Sequence, residues 1–432
     1  MSSHGHDLPR LQVDDLVASM DDRSRGPIGL CVMLGLVGVC GFIAGVLSDP
    51  HRAWTALVWN WSLWSGIAVG GAAVVAAASI AYGQWLRPMR RVAEGLTAFL
   101  PVSYVIMIVM LFGIDNVYEW VEHPPAAKAT WLDPTFFGIR QVVGLAILYG
   151  MALTLVYWSV RPDLGRLRER VSGWRRSLYD GLTRGWRGLD VEVERADATR
   201  ARLAPAYALV YAAFVTLWAW DWLMSIDPHW FSTLFPAWIF MTYFLGALGT
   251  TAILSCRLRT YRSFREAIPI RYLHDLGKMV FAFTVFWTYL FFAQYLVIWY
   301  GRLPEETVYV KLRLFGAYEP LAIATLACVF LIPFLGLLGE RPKRTPALLT
   351  TFSAISLFGL WCFHLVLVAP SPFPDFIALG WIEALVAVGM AGTFLACVLG
   401  FARAFPPFAI AAGLPPDEQL ESVRGKTDPH PV

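Results

Sequence analysis

The chain has 432 residues, of which 57% are hydrophobic and only 16% are charged, and its formal net charge is +3. Soluble domains carry about 25% charged residues, so this composition excludes an ordinary soluble protein. The net charge is too small to indicate a nucleic-acid partner. About ten apolar stretches, each close to the roughly 20 residues that cross a bilayer, alternate with short polar connections.

These stretches predict helices rather than a barrel. In lipid only helices and closed barrels satisfy every backbone hydrogen bond, and the stretches are much longer than the roughly 10-residue strands of a barrel. We therefore expect an all-α polytopic membrane protein. Its spans are expected at 27–47, 54–81, 92–113, 134–160, 203–226, 234–256, 278–300, 320–338, 346–368 and 376–402.

The membrane domain is expected at 27–404, between polar tails at 1–26 and 405–432. A faint internal repeat relates the residues around spans three and seven. In both, basic residues precede the span and acidic residues follow it. The repeat predicts two four-helix bundles, at about 54–226 and 234–368, with the first and last spans flanking them.

Basic residues set the expected orientation. Arginines and lysines collect in the connections after spans two, four, six and eight, and they are sparse in the other connections. The positive-inside rule then places these connections and both termini in the cytoplasm. Apolar residues of the 161–202 linker recur at helical spacing, which predicts an amphipathic helix in the headgroup layer, or alternatively a docking surface for a partner subunit. They are Leu164, Leu167, Val171, Trp174, Leu178 and Leu182.

Ionisable residues within spans are functional candidates, because they are expensive to place in lipid. An outer set comprises Arg140, Asp221, Asp227, His229, His364 and Glu383. A cytoplasmic set comprises Glu94, His274, Asp275 and Lys278. Between the sets lie mainly hydroxyl side chains, which is the layout of two proton half-paths.

Structural interpretations of the same residues stay open. Arg140 can pair with Asp221 or Glu383 to hold helices together. Asp275 can stabilise a helix N-terminus, and Asp227-Pro228-His229 can form a turn.

The chain carries no recognisable ligand set for a redox centre. None of its cysteines has a CxxC partner, and we expect all of them to be small buried apolar residues. Only His364 lies well inside a span, whereas a bis-histidine haem needs facing pairs. We therefore predict no metal site and no cofactor bound by this chain alone. The cysteines are Cys31, Cys40, Cys256, Cys328, Cys362 and Cys397.

Several sequence blocks carry a resemblance to a known family. The blocks are Trp59-Asn60-Trp61 through Gly70; Gln84-Trp85-Leu86-Arg87-Pro88 with Arg90-Arg91 and Glu94; Leu132-Asp133-Pro134-Thr135-Phe136-Phe137 with Arg140; Asp221 through Thr233; and His274 through Lys278, continuing to Trp299-Tyr300. The chain resembles membrane subunits of the polysulfide-reductase (NrfD) type, and more closely the F subunits of alternative complex III, a bacterial quinol:cytochrome c oxidoreductase. It departs from the family at Arg302, where an asparagine is expected.

The resemblance implies a place in a respiratory or photosynthetic electron-transfer complex of the bacterial cytoplasmic membrane. Such a complex oxidises a membrane quinol and passes the electrons through iron–sulfur clusters and haem c, all held by partner subunits. The implied partners are a sister NrfD-like subunit, an iron–sulfur subunit, cytochrome c subunits and small membrane subunits. The sister subunit is the better candidate for the quinol pocket, and this chain is expected to translocate protons or support assembly.

Two other functions remain open from the sequence. The chain itself can bind quinol, in an apolar slot lined by Trp218, Trp222, Trp230 and Trp361. The alternative for these tryptophans is an interfacial aromatic belt. A stand-alone secondary transporter is less expected, because glycines such as Gly66 and Gly70 indicate close helix packing more than broken helices.

Overall fold

The computed structural model describes residues 27–265 and 267–408, and in that part of the chain all regular structure is helical. The predicted tails therefore lie outside the described residues, apart from 405–408. The main helices are α1 (Pro27–Ser48), α2 (Pro50–Ile80), α3 (Gln84–Met110), α4 (Pro134–Leu167), α5 (Gly173–Leu182), α6 (Leu189–Ile226), α7 (Phe235–Leu258), α8 (Ile270–Gly301), α9 (Pro304–Leu314), α10 (Gly316–Gly336), α11 (Pro346–Val368) and α12 (Trp381–Ala404).

All of these helices except α5 and α9 are long and apolar enough to cross a membrane, which makes ten spans in the described residues. The predicted all-α polytopic fold is confirmed. Successive spans alternate in direction, so the connections divide between two faces. We call the face with the connections 168–188 and 259–269 the arginine-rich face. The other, with the connections 111–133 and 302–315, is the opposite face.

Several helices continue beyond the predicted spans at the arginine-rich face. Helix α4 ends at Leu167 rather than at 160, and α6 begins at Leu189 rather than at 203. The apolar pattern stops at the first charged residues, but both helices continue past them because these residues form ion pairs with each other. Nε of Arg161 on α4 donates to Glu192 of α6 at 2.7 Å, and both side chains are buried.

The linker 161–202 differs from the single amphipathic helix that its spacing predicts. Leu164 and Leu167 belong to the end of span α4, and only α5 forms a separate helix. Leu164, Leu167 and Val171 are buried against Tyr179 and the aromatic rings at the end of α12. The Tyr179 hydroxyl donates to the Ala404 carbonyl at 2.9 Å, and burial raises its pKa to about 12, so it remains a donor at neutral pH. The linker is thus fastened to the helices of this chain.

Two bundles meet at the central helices α2 and α7. Helices α2, α3, α4 and α6 form one bundle, and α7, α8, α10 and α11 form the other. Gly66 of α2 lies so close to α7 that a Cβ atom there would collide with the ring of Tyr243. Lipid offers no hydrophobic force between helices, so such close backbone packing is a main source of their association.

Helices α1 and α12 flank the bundles as a pair, with the largest contact between any two helices of the described chain. They cross at Gly38 and Gly389, where a Cβ on either glycine would collide with the Cα atom of the other. Much of the remaining surface of α1 is exposed and apolar, as expected for a helix that faces lipid.

We expect Gly38→Leu to lower the stability of the purified chain, because the added side chain must separate α1 from α12. Overpacking of this kind costs about 1–3 kcal/mol. The matched control is Gly29→Leu on the same helix, where a Cβ has open space. The measurement is the fraction of monodisperse protein that survives heating in detergent. Equal losses for the two variants would contradict the close crossing.

Candidate functional site

Asp221, near the opposite face, is a buried acid that accepts four hydrogen bonds. Helix α6 passes through one π-helical turn at Ala219–Leu223, and such bulges are frequent at functional sites. The bulge carries the fully buried Asp221 carboxylate. Arg140 of α4 donates to its two oxygens from Nε at 3.1 Å and from Nη2 at 2.9 Å.

Neutral donors complete the partners of this carboxylate. Gln141 donates to Asp221 at 2.6 Å and Trp131 donates at 3.0 Å. The other end of the Gln141 amide accepts from Trp222 at 2.6 Å, so the amide is used at both ends. Tyr118 donates to the Trp222 carbonyl at 2.9 Å. Burial, and next the charge of Asp221, hold the pKa of Tyr118 well above its usual value, so this hydroxyl stays protonated.

Two further ion pairs lie near the opposite face. Arg313 of α9 donates to Asp227 at 2.8 Å, and Ser371 also donates to that carboxylate. Arg52 of α2 forms a two-pronged pair with Glu383 of α12, at 2.8 and 2.7 Å. Each pair joins elements that are far apart in the sequence. The outer acids are thus divided among three separate clusters.

At the arginine-rich face the central group is Arg91 of α3. It donates to Glu94 on its own helix, and to Asp163 and the Ser159 carbonyl on α4. Glu94 also accepts from Arg90 at 3.1 Å. The Arg91, Glu94 and Asp163 side chains are all buried. Two guanidinium groups therefore neutralise two carboxylates, and Arg91 ties α3 to α4.

Between the two faces, hydroxyl groups form a small buried network. Ser103 of α3 lies within hydrogen-bond distance of Ser65 on α2, at 2.5 Å, and of Tyr149 on α4, at 2.9 Å. Trp61 donates to the Ser103 hydroxyl at 3.0 Å. This network is in the first bundle, as are the clusters of Asp221 and Arg91.

One side of α4 joins these three groups. Gln141, Tyr149, Ser159 and Asp163 are all buried on it. At 1.5 Å per residue, Gln141 and Tyr149 are separated by about 12 Å along the axis, and Tyr149 and Ser159 by about 15 Å. A single helix face thus carries buried polar groups at one end, in the middle and at the other end of the hydrocarbon layer.

The remaining predicted relay residues are not joined to this line. His364 is fully buried in the second bundle, where Nδ1 lies 2.8 Å from the Leu360 carbonyl. His229 is exposed, and with Asp227 it lines an open cavity of about 1,060 Å³ at the opposite face. Asp275 pairs with the exposed Lys278 at 2.7 Å on α8, next to the half-buried His274.

The four tryptophans predicted for a quinol slot are divided among three groups of aromatic rings. Trp218 and Trp222 lie on Trp61, with ring centroids at 4.6 and 4.9 Å. Trp230 stacks on Tyr309 at 3.7 Å, and Trp361 lies edge-on to Trp59 at 5.0 Å. All except Trp361 are deeply buried.

Sequence reasoning missed the cations that pair with the outer acids. In the sequence Arg52 and Arg313 stand among the few basic residues of the sparse connections, yet each holds a carboxylate inside the fold. Gln141 was also missed, although it directly follows Arg140 in a span. A polar residue adjacent to a charged one within an apolar stretch was the available signal for it.

Among the described residues, no group of three or more His, Cys, Asp or Glu side chains is placed to hold a metal ion. Cysteine burial varies more than predicted. Cys31, Cys256 and Cys362 are buried, but Cys40 is exposed on the apolar surface of α1. No family model and no curated protein matches the chain. The assignment of a function therefore depends on the geometry and on the residues themselves.

We expect Asp221→Asn to destabilise the chain, because it leaves the partly buried Arg140 without its counter-charge. Removing one partner of a buried pair costs about 3–5 kcal/mol. Arg140→Gln should cost a similar amount, and the double variant should cost clearly less than the sum. The free energy of unfolding in mixed micelles measures this coupling. The exposed Lys311→Gln serves as the control for loss of a charge, and additive effects would show that the pair contributes nothing.

Proposed function

We propose that this chain is an integral, non-redox subunit of a quinol-oxidising electron-transfer complex, and that it conducts protons and supports assembly. The observation that carries the proposal is the polar line on α4, from Gln141 through Tyr149 to Asp163. Its ends meet buried ion-paired acids at both faces of the membrane. Proton transfer needs titratable or hydroxyl groups in series, with water bridging the gaps between them.

The resembling sequence blocks support this proposal by their location. The block around Asp133 and Arg140 and the block that starts at Asp221 together build the cluster at the opposite face. The block with Arg91 and Glu94 builds the cluster at the arginine-rich face. The residues that carry the family resemblance therefore include Arg140, Asp221, Arg91 and Glu94, which form ion pairs at the two ends of the line. In the proposal, iron–sulfur clusters and haem c belong to partner subunits, and quinol is the shared substrate.

The partners in this proposal are a sister NrfD-like subunit, an iron–sulfur subunit, cytochrome c subunits and small membrane subunits. Helix α8 presents a broad exposed apolar surface that suits a membrane neighbour or lipid. This surface comprises Phe286, Tyr289, Phe292, Leu296, Val297, Trp299 and Tyr300. Purification of the tagged chain from its native membranes should yield a complex that contains c-type haem and iron–sulfur clusters and oxidises quinol. Recovery of a solitary polypeptide with transport activity would reject the proposal.

We further propose that the arginine-rich face lies in the cytoplasm of a bacterial cell, with both termini on that side. An impermeant maleimide added to intact cells should label Glu305→Cys, which lies in the connection 302–315 at the opposite face. Arg187→Cys should react only after lysis. Both positions are exposed, so access rather than burial decides the result. Labelling of Arg187→Cys in intact cells would reverse the orientation.

We expect Tyr149→Phe to lower the number of protons moved per electron, because it removes the hydroxyl at the middle of the line. The effect should be partial, since water can occupy the vacated space. The matched control is Tyr104→Phe, whose hydroxyl donates to the Val142 carbonyl and is not part of the Ser103 network. The measurement is proton release during quinol oxidation by the assembled complex in vesicles. An unchanged ratio in Tyr149→Phe with intact assembly would remove this line from the path.

A further inference from the structure

The second bundle contains a cavity that the proton line does not use. It lies toward the opposite face, between α7, α8, α9, α10 and α11, and the empty space within it and at its open side is about 620 Å³. Aromatic rings form much of its lining, namely those of Trp238, Trp287, Phe291, Tyr295, Tyr309 and Phe363.

Three polar atoms of cavity-lining residues make no hydrogen bond within the described chain. They are Oε1 of Gln294, the Nε1–H group of Trp238 and the hydroxyl of Tyr309. The Gln294 residue is 92% buried, being 8% exposed, so water does not readily serve it. The neighbouring Trp287 does have a partner, because its Nε1 donates to Thr242 at 2.8 Å. Other buried polar atoms of this bundle also lack a partner, among them the hydroxyls of Thr284 and Ser353, but three such atoms belong to residues that line this one cavity.

A buried amide oxygen without a partner costs about 1–3 kcal/mol, and a ligand that donates a hydrogen bond to it recovers that loss. The first bundle shows the contrast. Gln141 there donates to Asp221 and accepts from Trp222, so both ends of its amide are used. Gln294 lies at a similar depth near the opposite face, but its amide oxygen accepts no hydrogen bond. A hydroxyl-bearing ligand fits this need, and a pure hydrocarbon does not.

The charge at the edge of the cavity is already neutralised. The Arg313 side chain lines it, but its Nη2 donates to Asp227, Ser371 and the Leu367 carbonyl, each at 2.8 Å. An anionic ligand would therefore compete with a fixed carboxylate. A neutral ligand needs no such exchange. The flat ring of an aromatic alcohol also suits the surrounding aromatic side chains, which favour stacked and edge-on contacts.

The cavity is accessible from the lipid side. Helix α10 contacts α8 at its π-helical turn Ala327–Leu331 and at the residues that follow this turn. Along Glu319–Leu326 the two helices make few contacts. Leu326 lines the cavity and is also 38% exposed on the apolar surface. A ligand with an apolar tail can therefore place its ring inside while the tail remains in the bilayer.

We propose that this cavity binds a neutral lipid-soluble quinol, with one ring hydroxyl donating to Gln294 Oε1. The choice of a quinol among aromatic alcohols rests on the proposed function. The position differs from the slot that the sequence predicted among Trp218, Trp222, Trp230 and Trp361, because Trp238, Trp287 and Gln294 are its defining residues. The inference concerns binding only and assigns no electron transfer to this chain.

The test measures binding of a short-tailed quinol and of its dimethyl ether to the full chain in lipid nanodiscs, under anaerobic conditions. The ether keeps the ring and the tail but cannot donate a hydrogen bond. Wild-type protein should bind the quinol about tenfold more tightly than the ether, since one hydrogen bond to a buried acceptor corresponds to about that ratio. Gln294→Leu should abolish the preference by weakening the quinol selectively.

Two further variants separate the site from general effects. Ala322→Phe should exclude both ligands, because Ala322 lines the cavity and the new ring fills it. Thr284→Val should change neither affinity. Thr284 is buried on the same face of α8, ten residues before Gln294, and does not line the cavity.

Equal affinity of wild-type protein for quinol and ether, or binding unaffected by Ala322→Phe, would overturn the inference. Binding of the ether and of plain alkanes with the same affinity as quinol would assign the cavity to acyl chains instead. These outcomes are distinct from failure of the proposed function. A chain that purifies within a haem-containing complex but fails this test retains the function and loses only the site. A chain that binds quinol here but purifies alone retains the site and loses the proposed function.

Discussion

The fold depends on one constraint, which is that charge inside hydrocarbon must be neutralised by charge of the same protein. An isolated ion in lipid is far too costly, so buried ions occur in pairs with additional hydrogen bonds. The described structure obeys this rule at each deeply buried acid. Asp221 is held by Arg140, Glu383 by Arg52 and Glu192 by Arg161, while Arg90 and Arg91 together neutralise Glu94 and Asp163. All of these pairs are near the ends of spans, where headgroups and water limit the cost of the charges.

The same pairs also determine which helices are neighbours. Arg140 joins α4 to α6, Arg52 joins α2 to α12, and Arg91 joins α3 to α4. Close packing does the rest at depths where no ions are present. Gly66 admits the ring of Tyr243 between the two bundles, and Gly38 admits the backbone of α12. Ion pairs therefore hold the helices together near the ends of the spans, and close packing at glycines does so between the ends. This is expected where lipid supplies no hydrophobic force.

Spans were predictable from sequence because hydropathy is a local property. The ninth span, at 346–368, coincides with helix α11, and all ten spans are present. Helix ends were predicted less well, because Arg161 and Glu192 look like the end of a span until their pairing is known. The pairings themselves were not predictable. Arg52 and Glu383 are 331 residues apart, and only one of the two stands inside a predicted span. A short helix such as α9, which brings Arg313 into the fold, was likewise hidden in a connection.

Buried polar side chains in this protein have two roles, and these differ in whether the hydrogen bonds of the side chain are made within the protein. In the Asp221 cluster each carboxylate oxygen has a donor, and both ends of the Gln141 amide are hydrogen-bonded. These groups therefore form a fixed structural network. Gln294 and Trp238 face a lipid-accessible cavity with bonds unused. Because an unsatisfied amide is destabilising wherever it is buried, its retention beside a cavity is best explained by a ligand that completes it. The polar line on α4 is thus ion-paired at both ends, whereas the cavity of the second bundle is lined by polar groups whose hydrogen bonds are not made.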